Sequence, residues 1–128
     1  MIEAGYSIND VSGDPEYWTK DIDFICTNPT TGASRAFEVK WDTRIANTNN
    51  LYLELTNVHS KGGKGWFNFT QADFLAYGDA QAKKFYIIPL DKLRERVEKL
   101  PSRMTNCGQD SIGLLINLRD ISDITTTI

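Results

Sequence analysis

Asp21-Ile22-Asp23-Phe24-Ile25-Cys26, then Asn28-Pro29-Thr30-Thr31-Gly32, then Ala36-Phe37-Glu38-Val39-Lys40-Trp41: this stretch decides the fold. Polar and apolar residues alternate at its start and again at its end, the period of a strand whose two faces meet different surroundings. The Asn, Pro, Thr and Gly between them supply turn chemistry. A β-hairpin is predicted. Alternation turns Ile22 and Phe24 inward on its first strand and leaves Asp21 and Asp23 on the opposite face. On the second strand Phe37, Val39 and Trp41 point one way, and Glu38 and Lys40 the other.

Outward from the hairpin, Leu51-Tyr52-Leu53-Glu54-Leu55-Thr56 repeats the period of two and reads as a further strand, placed beside residues 36–41. A first strand is expected around Tyr6 to Val11. Thr70, followed by Ala72, Asp73, Leu75 and Ala76, reads as a short capped helix, and Lys84 to Leu90 as a buried strand ending at Pro89. Asp91 is the predicted N-cap of a helix over 92–100, whose Leu93, Val97 and Leu100 form one apolar stripe before Pro101. Ser111 to Leu118 reads as the last strand. No repeat or linker divides the chain, so a single α/β domain spanning 1–128, with a mixed sheet, is predicted.

Composition narrows the classes of function. The 128 residues are 41% hydrophobic and 24% charged, ordinary for a globular chain with its own core. No apolar run reaches the roughly 18 residues of a membrane helix, and the first residues carry neither a basic leader nor an apolar segment, so a cytoplasmic protein without a membrane partner is expected. Two cysteines outside any CxxC and a single histidine, His59, leave no tetrahedral Cys/His zinc set. A metal would have to be held by oxygen. The net charge of −3 creates no whole-molecule attraction to nucleic acid. Residues 1–30 nevertheless hold six carboxylates against one lysine, whereas residues 31–90 hold seven basic residues against five acidic.

An Asp and a Glu on neighbouring strands, with the strand carbonyl of Val39 between Glu38 and Lys40, make an all-oxygen donor set suited to Mg²⁺ or Mn²⁺. Lys40 beside it would orient or deprotonate a water, or hold a phosphate oxygen. That is the equipment of metal-assisted phosphodiester hydrolysis. The same alternation also describes the solvated face of a sheet with a weak surface ion pair.

Asp21-Ile22-Asp23, a turn, then Phe37-Glu38-Val39-Lys40 resembles the PD-(D/E)XK nuclease superfamily, and particularly its small members encoded by phages and mobile elements. Further along the pattern lie Asp42, Asn49-Asn50-Leu51-Tyr52-Leu53-Glu54, Gly65-Trp66, Ala72-Asp73-Phe74-Leu75-Ala76-Tyr77, Phe85-Tyr86-Ile87-Ile88 and Leu93-Arg94. The resemblance implies a restriction-endonuclease-like mixed central sheet flanked by helices, with the opening helix reduced or missing. It implies dependence on Mg²⁺ or Mn²⁺ and cleavage of nucleic acid, DNA ahead of RNA. Asp23, Glu38 and Lys40 match the catalytic positions, and Asp23, Glu38 and Val39 the metal-binding ones. Asp21 rivals Asp23, and Asp42 and Glu54 are additional candidates. Arg35, Arg44, Lys61 and Lys64 are the candidate phosphate contacts. The missing opening helix points to a homodimer or a protein partner. A catalytically inactive nuclease fold, acting by nucleic-acid or protein binding as a phage regulatory or inhibitory protein, is the alternative.

The Ser60-Lys61-Gly62-Gly63-Lys64-Gly65 stretch lacks the spacing of a nucleotide P-loop. His59 is read as structural or exposed rather than as a base, and Trp41, Trp66 and Tyr77 as packing residues rather than base-stacking ones.

Overall fold

Strands β2 (Phe24–Thr27) and β3 (Ser34–Asp42) pair antiparallel as the hairpin, Phe24 opposite Phe37 and Thr27 opposite Ser34. They are seen in a computed structural model that describes residues 7–18, 20, 22–57, 63–99, 103–106 and 111–128. The turn closes as its residue types dictate. Asn28 Oδ1 accepts the Thr30 amide at 2.9 Å, and Gly32 takes the left-handed conformation at φ +74°. The expected first strand is β1 (Ser7–Asp10), antiparallel to β2; Tyr6 lies outside the described residues. A one-turn helix, α1 (Pro15–Trp18), joins the two.

β3 leads through a one-turn helix α2 (Ile45–Thr48), strand β4 (Asn50–Asn57) and a one-turn helix α3 (Trp66–Phe69) to strand β5 (Phe74–Asp79). β5 lies parallel to β3, Glu38 opposite Leu75 and Lys40 opposite Tyr77. Strand β6 (Lys84–Pro89) returns antiparallel beside β5 and runs into helix α4 (Leu90–Lys99). Strands β7 (Arg103–Asn106) and β8 (Ser111–Asn117) follow, then a 3-10 helix over Leu118–Ile124 and a short strand β9 (Thr126–Thr127). The fold is mixed α/β. Its larger sheet has the order β1-β2-β3-β5-β6-β9, and its smaller one the order β4-β8-β7.

The main core lies between the two sheets. Leu51 and Leu53 of β4, Leu114 and Ile116 of β8, Leu75 of β5, Ile88 of β6 and Leu90 and Leu93 of α4 share one buried cluster. Fully burying a Leu or Ile is worth about 1.5–3 kcal/mol each, so this cluster carries much of the stability. Ile45 of α2 and Phe67 of α3 join it, which places these helices on the same side of the larger sheet. The opposite face of that sheet carries a smaller cluster, Cys26, Phe37 and Ala76, flanked by Phe24, Val39, Phe74, Phe85 and Ile87.

Four expectations need correction. The strand at residues 51–56 forms, but in the second sheet: β3 pairs with β2 and β5, and β4 pairs with β8. The alternating leucines reveal a strand without naming its neighbour. The helix predicted after Thr70 is strand β5, and the short helix precedes that threonine. β5 is buried along nearly its whole length, and a strand covered on both faces loses the alternation that would distinguish it from a helix. Helix α4 begins at Leu90, not after Asp91, because the Leu90 amide is held by Asp73 O at 2.9 Å; Asp91 sits in the first turn, its Oδ1 accepting the Lys92 amide. Leu100 lies outside the described residues. The last correction concerns Ile22 and Phe24, expected to turn inward together: Ile22 enters the main core and Phe24 packs against the smaller cluster on the opposite face, because the β2 ladder begins only at Phe24 and Ile22 lies before it. On β3 the side bearing Phe37 and Val39 meets the smaller cluster, and the side bearing Glu38 and Lys40 meets the main core.

Candidate functional site

Glu38 is 2% exposed, in the middle of β3 and flanked by Leu75 across the ladder. A solvated-face residue would be open to water, so the bland reading of the alternation fails at this position. Burying a carboxylate costs several kcal/mol unless charge and hydrogen bonds compensate it. Lys40, two residues along and on the same face, places Nζ 3.0 Å from Glu38 Oε1. The Lys40 side chain is 31% exposed, so the pair joins a buried carboxylate to a partly solvated cation.

Asp23 joins them through the backbone. Its amide donates to Phe37 O at 2.9 Å, and its Oδ2 accepts the Val39 amide at 2.9 Å. The side chain therefore takes over from the β2 ladder just where the strand ends, and places a carboxylate beside the peptide between Glu38 and Lys40. Because the N–H and C=O of one strand residue point to the same edge, the Val39 carbonyl faces the Asp23 side as well. Two carboxylates, one carbonyl and one ammonium thus cluster around residues 38–40. Asp21, the rival first aspartate, lies outside the described residues.

Among the described residues no three His, Cys, Asp or Glu side chains gather as a metal-binding group. The donor set on offer is the Asp23–Glu38 pair with a main-chain oxygen. Such a set fits Mg²⁺, which commonly takes one or two carboxylates and fills its remaining positions with water and substrate phosphate oxygens.

The additional candidates have other duties. Asp42 accepts the Tyr77 hydroxyl through Oδ2, and the Arg44 and Ile45 amides at the start of α2 through Oδ1. Tyr77 Oη in turn accepts the Tyr52 amide at 3.1 Å, tying β4 to β5. Asp42 is therefore a helix cap and a strut between sheets. Glu54 lies in the second sheet, and its Oε1 accepts the Trp66 amide at 3.3 Å. It reaches the site through Trp66, whose ring lies 5.3 Å from Lys40 Nζ. Sequence reasoning took Trp66 only for a packing residue; its adjacency to Gly65 was the available signal for a close approach of this turn to another strand.

Of the candidate phosphate contacts, Arg44 is exposed just beyond the end of β3, and Lys64 is exposed in a bridge to Thr56, two residues before Trp66. Arg35 shares the opposite face of β3 with Phe37 and lines a groove of about 550 Å³ with Cys26, Phe74 and Ile87. The structure therefore does not bring Arg35 to Glu38 and Lys40. Lys61 and His59 lie outside the described residues. Cys26, buried in that opposite face, has its thiol pushed up by burial, which keeps it protonated and inert. No described helix is long and apolar enough to cross a membrane.

Compared with protein-family models, with curated proteins and with solved structures, the chain matches none of them.

Proposed function

We propose that the chain is a metal-dependent nuclease of restriction-endonuclease-like architecture, hydrolysing phosphodiester bonds of nucleic acid, DNA in preference to RNA. One observation carries the reading: a buried glutamate is paired with a lysine two residues along the same strand, and the peptide between them donates to the carboxylate of Asp23. Buried charges are costly, and a fold retains them in such a cluster where they do chemistry. The mixed sheet with its parallel β3–β5 pair agrees with the resemblance seen in the sequence.

In this reading Asp23, Glu38 and the Val39 carbonyl hold Mg²⁺ or Mn²⁺, which when bound supplies Lewis acidity to the phosphate and a lowered pKa to its water. Glu38, buried at the base of the site, fixes the position of the charge. The Val39 amide holds Asp23 in place, so its carboxylate does not need reorienting during the reaction. Lys40, partly solvated, orients the attacking water and meets a non-bridging phosphate oxygen. Arg44 and Lys64 contact the backbone on either side.

A second reading, an inactive nuclease fold that acts by binding, draws support from the opposite face of the larger sheet. Ile8, Trp41 and Ile128 there are 41%, 61% and 59% exposed, more apolar surface than a hydrolytic site on the other face needs. Incubation with plasmid, single-stranded and branched DNA and with RNA, in Mg²⁺, Mn²⁺ or EDTA, separates the two. Cleavage that requires the cation and disappears in Glu38→Ala and Lys40→Ala supports the nuclease. Binding without cleavage under every condition gives the second reading instead.

A further inference from the structure

We propose that Trp66 is a positioning residue for Lys40, seated on its ammonium by a clamp that Gly65 and Glu54 build on the second sheet; the inference rests on the nuclease reading, in which Lys40 works at the phosphate. A lysine has four rotatable bonds and loses its reach if it swings freely. Glu38 Oε1 holds the ammonium from one side at 3.0 Å, and the Trp66 ring, 5.3 Å from Nζ, holds it from another. Indole is the strongest aromatic partner for a cation, and a partly desolvated setting strengthens the attraction.

The ring is held in its turn. α3 is a single turn, too short to fix Trp66 by itself. Its anchorage comes from β4: the Gly65 amide donates to Leu55 O at 2.9 Å, and the Trp66 amide donates to Glu54 Oε1 at 3.3 Å. A Cβ at position 65 would lie 2.5 Å from Glu54 O and 2.6 Å from its Cγ, so only glycine brings the turn this close. Glu54 therefore acts on the site through the Trp66 peptide rather than as a metal ligand. The small sheet sets the direction of a lysine that belongs to the large one.

The test reads the contact directly, through NMR of protein whose lysines carry ¹³C-methyl groups, with Lys40 assigned by its loss in Lys40→Arg. The wild-type Lys40 methyl resonance should lie upfield of the other lysines, shifted by the indole ring current. Trp66→Leu should return it to the common envelope, and Trp66→Phe should keep part of the shift. Cleavage by Trp66→Leu should fall about fivefold in kcat with KM nearly unchanged, whereas Trp66→Phe should stay within about twofold of wild type. A wild-type Lys40 resonance inside the envelope overturns the clamp, and this spectrum decides even if Trp66→Leu fails to fold. A shift that survives in folded Trp66→Leu overturns it too. An upfield Lys40 in a wild-type protein that cuts no nucleic acid overturns the positioning role together with the nuclease reading, so the two failures are told apart.

Discussion

Tyr77→Phe removes one oxygen from the strut that joins the two sheets, and its cost follows from the contacts of that atom. Tyr77 is 3% exposed; its hydroxyl donates to the Asp42 carboxylate and accepts the Tyr52 amide. A hydrogen bond to a charged group contributes about 1.5–3 kcal/mol and a neutral one about 1 kcal/mol. Asp42 keeps the Arg44 and Ile45 amides and is only half-buried, which favours the low end of the first range. The variant should therefore lose about 2.5 kcal/mol, or roughly 10 °C in Tm for a domain of this size. Thermal and urea unfolding measure it, and the loss should shrink by more than half in an Asp42→Asn background, since the two groups act as a unit. Well below the melting temperature, cleavage by Tyr77→Phe should remain within about twofold of wild type. A Tm shift under about 2 °C would refute the structural role given to Asp42, as would an Asp42→Asn protein that melts normally but has lost its metal dependence.

Two features lend themselves to simpler checks. Arg44→Ala and Lys64→Ala should each reduce the salt slope of duplex DNA binding by about 0.9, the share of one phosphate contact, while Arg35→Ala should leave the slope unchanged because it lies on the other face of β3. The Arg96 guanidinium grips Asp123 with both nitrogens, at 2.8 and 2.6 Å, and holds its carboxyl down to about 2. A carboxyl whose folded pKa is depressed stabilises the fold above its unfolded value, here 3.8, and that contribution disappears as pH falls through about 2. The wild-type Tm should accordingly exceed that of Asp123→Asn above pH 4, and the two curves should converge between pH 4 and pH 2.

The hairpin was legible because both of its strands carry a strict period of two and the loop between them is made of turn residues. That Glu38 and Lys40 share a face came from the same signal. Which face would meet the main core did not. Phe37 and Val39 are the more apolar pair, yet Glu38 lies against the main core, because the second sheet covers that side and only tertiary contacts specify a second sheet. β5 escaped for a related reason, since a strand buried on both faces has no polar side to alternate with. Glu54 was placed on the correct strand but given the wrong neighbour. Its link to the site runs through the Trp66 amide, and a backbone donor leaves no trace in residue type. Asp42 looked like a spare ligand because a helix cap and a metal ligand ask for the same carboxylate.

Diffraction from Mn²⁺-soaked crystals, with anomalous differences recorded near the manganese edge, tests the proposed centre most directly. A peak should lie within about 2–2.5 Å of the Asp23 and Glu38 carboxylates and the Val39 carbonyl, with Lys40 beside it, and should be absent from Glu38→Gln crystals. A peak bound elsewhere, or one that persists unchanged in Glu38→Gln, would contradict the assignment of this buried cluster as the seat of the metal.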